Sequence, residues 1–305
     1  MKDSPFFEQT ELMLQVLPLA MSEDCFALKG GTAINFFYRE MPRLSVDIDL
    51  TYLPIEDRDS TLDNISKALN RISEKIGNQH PQYKTSPKIL KGTPYTAKLQ
   101  VHNRNTQIKI EPNLVLRSFC YEPEIRPISK TARDLFEEEI TCKVMSRADL
   151  YGGKICAALD RQHPRDFYDV KILFENEGVD DKIMEAFVIY LSSNNRPMSE
   201  LLSPQMIDFS KPFEGEFQGM AQTSVTFEEL EETRTDLIRT IHKNLSNDQR
   251  LFLLSVKEGT PRFDLLKIKG AEKLPAIQWK IKNIRKMDQR KHAGSLAKLK
   301  QALGI

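Results

Sequence analysis

No stretch of this 305-residue chain approaches the roughly 18 consecutive apolar residues that a membrane-spanning helix requires. Cysteine is scarce and poorly spaced for chemistry: Cys25, Cys120, Cys142 and Cys156 form no CxxC pair. His80, His102, His163, His242 and His292 are scattered, so a zinc knuckle, a disulfide framework and a histidine nucleophile are all unindicated. Reduced, buried thiols and surface histidines are expected instead. The opening MKDSPFFEQTELMLQ has early acidic residues and no continuous apolar core, which argues against a secretory leader. These absences point to a cytoplasmic protein that does not engage a membrane.

What is present fits a globular protein: 40% hydrophobic and 29% charged residues, enough for one large core or two modest ones. The net charge of +1 hides an asymmetry. Between Lys257 and Lys300 there are thirteen Lys/Arg against four Asp/Glu, an excess of nine that suits an anionic partner such as RNA or DNA. A solvated helix face is the competing reading. The sole tryptophan, Trp279, lies among Lys280, Lys282, Arg285 and Lys286, where it either stacks on a nucleobase or fills a core.

Along the chain, Leu12, Met13, Val16 and Leu17 recur at helical spacing, and Pro18 is expected to end or kink that helix. Phe26 to Lys29 reads as a short strand entering Gly30-Gly31. Thr32 is placed to cap a helix running to about Arg39, with Ile34, Phe36 and Phe37 on its core face. Val46 to Tyr52 reads as a strand. Leu62 to Ile76 is amphipathic, with Ile65, Leu69 and Ile72 on one side. Tyr95–Val101 and Gln107–Asn113 alternate about a polar turn and predict a hairpin. From Arg147 to Arg161 the pattern is helical, and Pro164 suits the start of the next helix. The expected architecture is α/β (α+β), a mixed sheet with helices over residues 1–180 followed by a mainly helical region with a basic end over 181–305.

The chemistry concentrates in two places. Asp47 and Asp49, one residue apart on a strand, project from one face and can share a divalent cation. Gly30-Gly31, leading into a helix start, offers bare backbone N–H groups to a phosphate, with Thr32 able to bond a phosphate oxygen. Glu111 alternates with Lys109 on the second hairpin strand, either as a third carboxylate on the open face or as half of a surface ion pair. Moving NMP from an NTP to a hydroxyl while expelling pyrophosphate requires charge neutralisation on both sides of the α-phosphorus, which two Mg²⁺ ions supply. Asp47 and Asp49 would bridge them, and Glu111 would bind the second or take the acceptor proton.

LKGGTAINFFYREMPRLSVDIDL at 28–50 and DLYGGKICAALDRQHPRDFYDV at 149–170 resemble the nucleotidyltransferase superfamily with the DNA polymerase β-like fold, and more narrowly the AbiEii/AbiGii toxin family. The matching elements are Gly31-Thr32, Arg43-x-Ser45-x-Asp47-x-Asp49, Lys154, and Arg165-Asp166-x-x-Asp169, in the family's order. The resemblance implies a polymerase β-like sheet in the first half and a Mg²⁺- and NTP-dependent enzyme that modifies RNA, with the tRNA 3′ acceptor end leading, and so blocks translation. It also implies an abortive-infection or phage-defence setting and a cognate antitoxin from an adjacent gene, a transcriptional regulator. Lys154 and Arg161 would contact phosphates. Arg165, Asp166 and Asp169 would position Lys154 or the nucleotide's base and sugar, against a bland reading as a surface ion pair. Gly152-Gly153 before Lys154 departs from the pattern and is expected to loosen the helix start. Two other readings stay open: the same site acting on a protein or small-molecule hydroxyl, and a degenerate fold that only binds nucleic acid or a partner.

Overall fold

The computed structural model describes every residue except Met1 and Asp3. By internal packing the chain divides into two compact units: Met1–Ser146 with Gly219–Ser224, and Arg147–Gln218 with Val225–Ile305. The division at 146/147 comes earlier than the expected change near 180, because the helices after Ser146 pack on one another. Among the described residues no helix is long and apolar enough to cross a membrane.

The first unit is built on a mixed seven-stranded sheet of order β3-β4-β5-β2-β1-β7-β6. Its strands are β1 (Phe26–Lys29), β2 (Ile48–Tyr52), β3 (Lys84–Ile89), β4 (Thr96–His102), β5 (Gln107–Pro112), β6 (Glu124–Pro127) and β7 (Thr141–Val144). Its helices are α1 (Phe7–Ala20), α2 (Gly30–Ala33, continued by a π-helical turn Ile34–Tyr38), α3 (Arg58–Gln79) and α4 (Lys130–Phe136). Pro18 lies inside α1, which runs two residues beyond it: Pro18 lacks the N–H, yet the turn closes on Met21, whose N–H reaches the Leu17 carbonyl at 2.9 Å. β2 begins at Ile48, two residues later than the pattern suggested, so Asp47 stands just before the strand. The hairpin of β4 and β5 pairs Leu99 with Ile110, and the Asn103 side chain accepts N–H groups of Asn105 and Thr106 to close its turn.

The core follows the predicted faces. Ile65, Leu69 and Ile72 of α3 are fully buried, as are Phe26, Leu28, Ile48 and Leu50 of the central strands. Flanking that face of α3, Arg71 and Lys75 grip the nearly buried Glu23 at 2.6 and 3.0 Å. Burial alone would raise the Glu23 pKa; the two cations override it and leave the carboxyl below its ordinary range. β3 and β6, at the sheet's edges, are mostly exposed and lack the alternation that marks a half-buried strand.

The second unit is helical: α5 (Arg147–Arg161), α6 (Pro164–Glu175), α7 (Asp181–Ser193), α8 (Met198–Leu202), α9 (Ser210–Pro212), α10 (Phe227–Asn244), α11 (Asn247–Glu258), α12 (Pro275–Arg285) and α13 (Gln289–Leu303). The expected loosening at Gly152-Gly153 is absent, since α5 runs unbroken through both residues. Gly152 is instead a point of close helix approach. A Cβ there would stand 2.7 Å from the Phe187 backbone nitrogen and 2.8 Å from the Ala186 Cβ of α7. Alanine normally favours a helix over glycine by up to about 1 kcal/mol, but backbone overlap cannot be relieved by a rotamer change. Gly152→Ala is therefore expected to destabilise the unit by about 1–3 kcal/mol, read as a lower denaturant midpoint; an unchanged or higher midpoint would remove the close-packing account.

Candidate active site

β1 delivers the chain to Gly30, whose φ of +74° lies in the left-handed region that favours glycine. The same position is closed sterically, because a Cβ on Gly30 would overlap the Asp49 carboxylate of the adjacent β2. Gly31 is restricted by a different neighbour: the Arg43 guanidinium lies 2.6 Å from where its Cβ would be. The glycine pair thus lets a carboxylate and a guanidinium lie directly against the backbone at the helix start.

Thr32 does not cap this helix. It sits within α2, buried, with its hydroxyl 2.6 Å from the Asp47 carbonyl and 2.9 Å from the Ser45 hydroxyl. A carbonyl can only accept, so Thr32 donates to Asp47 and holds the backbone that launches that side chain. The segment 43–47 lacks regular structure but is tied at several points. Thr10 of α1 reaches the Ser45 carbonyl at 3.1 Å, the Leu44 N–H reaches the Met220 carbonyl at 2.9 Å, and buried Arg43 donates to the Leu44 carbonyl at 2.8 Å. Arg43 therefore supports the loop, and Ser45 acquires a role the sequence did not suggest.

Asp49 is paired in register with Glu111 of parallel β5 on one side and with Lys29 of antiparallel β1 on the other. Residues in register share a sheet face, so Glu111, Asp49 and Lys29 form one row beside the glycine turn. Ile48 and Leu50 point to the opposite, fully buried face. Glu111 also meets Lys98 at 3.1 Å across β4 and β5, so the cross-strand ion pair is real, with Lys98 rather than Lys109 as its cation. Both partners are more than a third exposed, where such pairs contribute little to stability. Among the described residues no three His, Cys, Asp or Glu side chains form a ready cluster for a metal ion. The donors here are hard carboxylate oxygens, which suit Mg²⁺, an ion that takes one or two carboxylates and completes its shell with phosphates and water.

The other candidate residues lie in the second unit. Lys154 of α5 is almost completely buried, and its ammonium lies 2.9 Å from Asp166 and 2.9 Å from Asp169 of α6, themselves 0% and 1% exposed. Arg161, with its side chain 58% exposed, closes on Asp166 from the outside with bonds of 2.5 and 2.8 Å. Burial by itself would raise the Asp166 pKa, yet the adjacent Lys154 charge and the Arg161 bonds hold it far below the usual carboxylate range. The two aspartates position Lys154, and they do so from the core rather than from the surface. His163 caps α6 by accepting the Arg165 N–H at Nδ1, 3.2 Å away, which leaves the Nε2 proton facing Glu216 at 3.1 Å. Burial lowers the His163 pKa, in keeping with that neutral tautomer. Arg165 is partly exposed, 4.0 Å from Glu216.

The structure thus places Gly30, Gly31, Thr32, Asp47, Asp49 and Glu111 in one unit and Lys154, Arg161, Arg165, Asp166 and Asp169 in the other. Lys29, in register with Asp49, escaped notice in the sequence, although its place just before the glycine pair was a usable signal.

Residues 11–283 match the family model described as nucleotidyl transferase AbiEii toxin, type IV TA system. Among solved structures the chain is similar to MenT4, a nucleotidyltransferase toxin from Mycobacterium tuberculosis H37Rv. That likeness has a TM-score of 0.60 at 14% identity and covers 95% of this chain and 92% of that one. At such identity it is a likeness of fold. No curated protein has a matching sequence.

Proposed function

The chain belongs to the AbiEii nucleotidyltransferase toxin family of type IV toxin–antitoxin systems, and on that premise we propose that it transfers NMP from an NTP to an RNA hydroxyl, with the 3′ acceptor end of tRNA as the target. Blocked translation is the toxic outcome, in the cytoplasm, and the restraining partner is an antitoxin from the adjacent gene that also acts as a transcriptional regulator. The observation that carries this reading is the row Glu111–Asp49–Lys29 set against a glycine turn too tight for any side chain.

In the reaction, the acceptor hydroxyl oxygen bonds to the α-phosphorus, the bond from that phosphorus to the bridging oxygen breaks, and pyrophosphate leaves. The hydroxyl proton passes to a carboxylate, for which Glu111 is the partly exposed candidate. Asp47 and Asp49 would hold Mg²⁺, with Glu111 as a third ligand where it does not take the proton; when bound, the ion would neutralise charge on the triphosphate oxygens. Backbone N–H groups at the start of α2 suit the β- and γ-phosphates. Of the two cations assigned to phosphate, Arg161 has the more exposed side chain, whereas the Lys154 ammonium is already shared by two buried carboxylates. The positive excess toward the end of the chain favours a polyanionic acceptor over a small molecule.

Incubating the protein with each α-labelled NTP, Mg²⁺ and total RNA is expected to label the tRNA fraction with one preferred nucleotide. Label confined to protein, or no label with any NTP, would overturn the RNA acceptor.

A further inference from the structure

From Lys273 to Ile305 the sequence holds nine Lys/Arg and one acidic residue, Asp288. Asp288 is engaged as the N-cap of α13, accepting the Arg290 and Lys291 N–H groups at 3.0 and 3.2 Å. α12 buries Ala276, Ile277, Ile281 and Ile284 and turns Trp279 and Lys282 outward, one helical turn apart, with Lys286 at its end. The indole is 47% exposed, and the Lys282 ammonium lies 5.9 Å from its centroid. Among the described residues, no carboxylate lies within ion-pair distance of Lys282, Lys286 or Arg290.

The neighbouring cations crowd one another. Burial lowers the Lys257 pKa, aided by the Lys291 charge, and burial with the Lys257 charge brings Lys280 down to about 8. Lys280 itself is structural, donating to the carbonyls of Asn194 and Arg196 at the end of α7.

We propose that the outer face of α12 and the start of α13 dock a single-stranded RNA segment, one base stacking on Trp279 while flanking phosphates meet Lys282, Lys286 and Arg290. A membrane surface would ask for an apolar face, and the apolar face of α12 is buried within its own unit. A duplex offers no free base to a protruding ring, whereas an unpaired strand presents base and phosphate together. The choice of RNA rests on the acceptor proposed above.

Because Trp279 is the sole tryptophan, its fluorescence reports this surface alone. Titration of the full chain with an unstructured oligoribonucleotide of about 12 nucleotides is expected to quench it, in keeping with stacking on aromatic platforms. The Lys282→Glu/Lys286→Glu/Arg290→Glu variant should bind at least tenfold more weakly, with the slope of log affinity against log salt reduced by about 2, from three phosphate contacts at about 0.7 each. The corresponding triple glutamine variant, checked for unchanged circular dichroism, should show a smaller loss in the same direction. Equal quenching by polyphosphate or by the matching single-stranded DNA, or quenching unaltered in the triple variants, would overturn the assignment. Asp49→Ala, which should lose transfer, should quench normally. In the parent chain, quenching without transfer counts against the reaction and supports the surface, while transfer without quenching counts against the surface.

Discussion

On the proposed reading of Asp49 as a metal ligand, replacing it with alanine is expected to reduce NMP incorporation by about a thousandfold or more, since such a carboxylate would supply about 4 kcal/mol of transition-state stabilisation and each 1.4 kcal/mol is about tenfold. The fold should survive, because Asp49 is partly exposed and its neighbours Ile48 and Leu50 carry the packing of β2. Purified variant and parent would be compared by incorporation of labelled NMP and by circular dichroism. A folded variant that still transfers within tenfold of the parent would remove Asp49 from the site. Loss of the fold with loss of transfer would instead reassign the residue to the architecture of the sheet.

The second large effect belongs to Lys154. Substituting methionine keeps much of its bulk but leaves Asp166 and Asp169, at 0% and 1% exposure, without the ammonium that both now share, while Arg161 still reaches Asp166. Breaking a buried pair in this way costs about 3–5 kcal/mol, a large part of the about 5–15 kcal/mol that holds a typical domain together. Adding Asp166→Asn and Asp169→Asn should restore a substantial part of the lost stability by removing buried charge that the ammonium no longer balances. The pH dependence has a definite sign. The folded-state pKa of Asp166 is depressed below its ordinary value of 3.8, so the stabilisation is fully present above that value and is lost progressively as pH falls below it. The parent should therefore weaken in acid below about pH 4. In Lys154→Met the penalty relative to the parent should narrow over the same range, because protonation discharges the two carboxylates. Denaturant midpoints across pH would check both, and a variant as stable as the parent at neutral pH would sink the buried-pair account. Since Lys154 variants are expected to unfold readily, loss of transfer in them reports stability first. Arg161→Gln, at an exposed guanidinium, is the cleaner probe of a phosphate contact.

Much of the local structure was legible from residue spacing. The limits of α5 at Arg147 and Arg161, the start of α6 at Pro164, β1 at Phe26–Lys29 and the β4–β5 hairpin follow from patterns a few residues long. β3, β6 and β7 were not legible: β3 and β6 are mostly exposed edge strands, and β7 is a short strand without the glycine pair that marks the end of β1. Thr32 looked like a cap because its type and position fit one, but the hydroxyl found a better acceptor in the Asp47 carbonyl, brought near only when β2 folds beside β1.

The sequence by itself determined which chemical groups are available and which short segments bend, extend or coil, because those choices depend on neighbours along the chain. Only the tertiary structure decided that Glu111 stands in register with Asp49, that Lys98 shares Glu111, and that Lys154 is a buried cation between two aspartates rather than a solvated one. Register and burial are set by hydrogen bonds and packing between segments far apart in sequence, and no local pattern encodes which distant strand or helix will arrive.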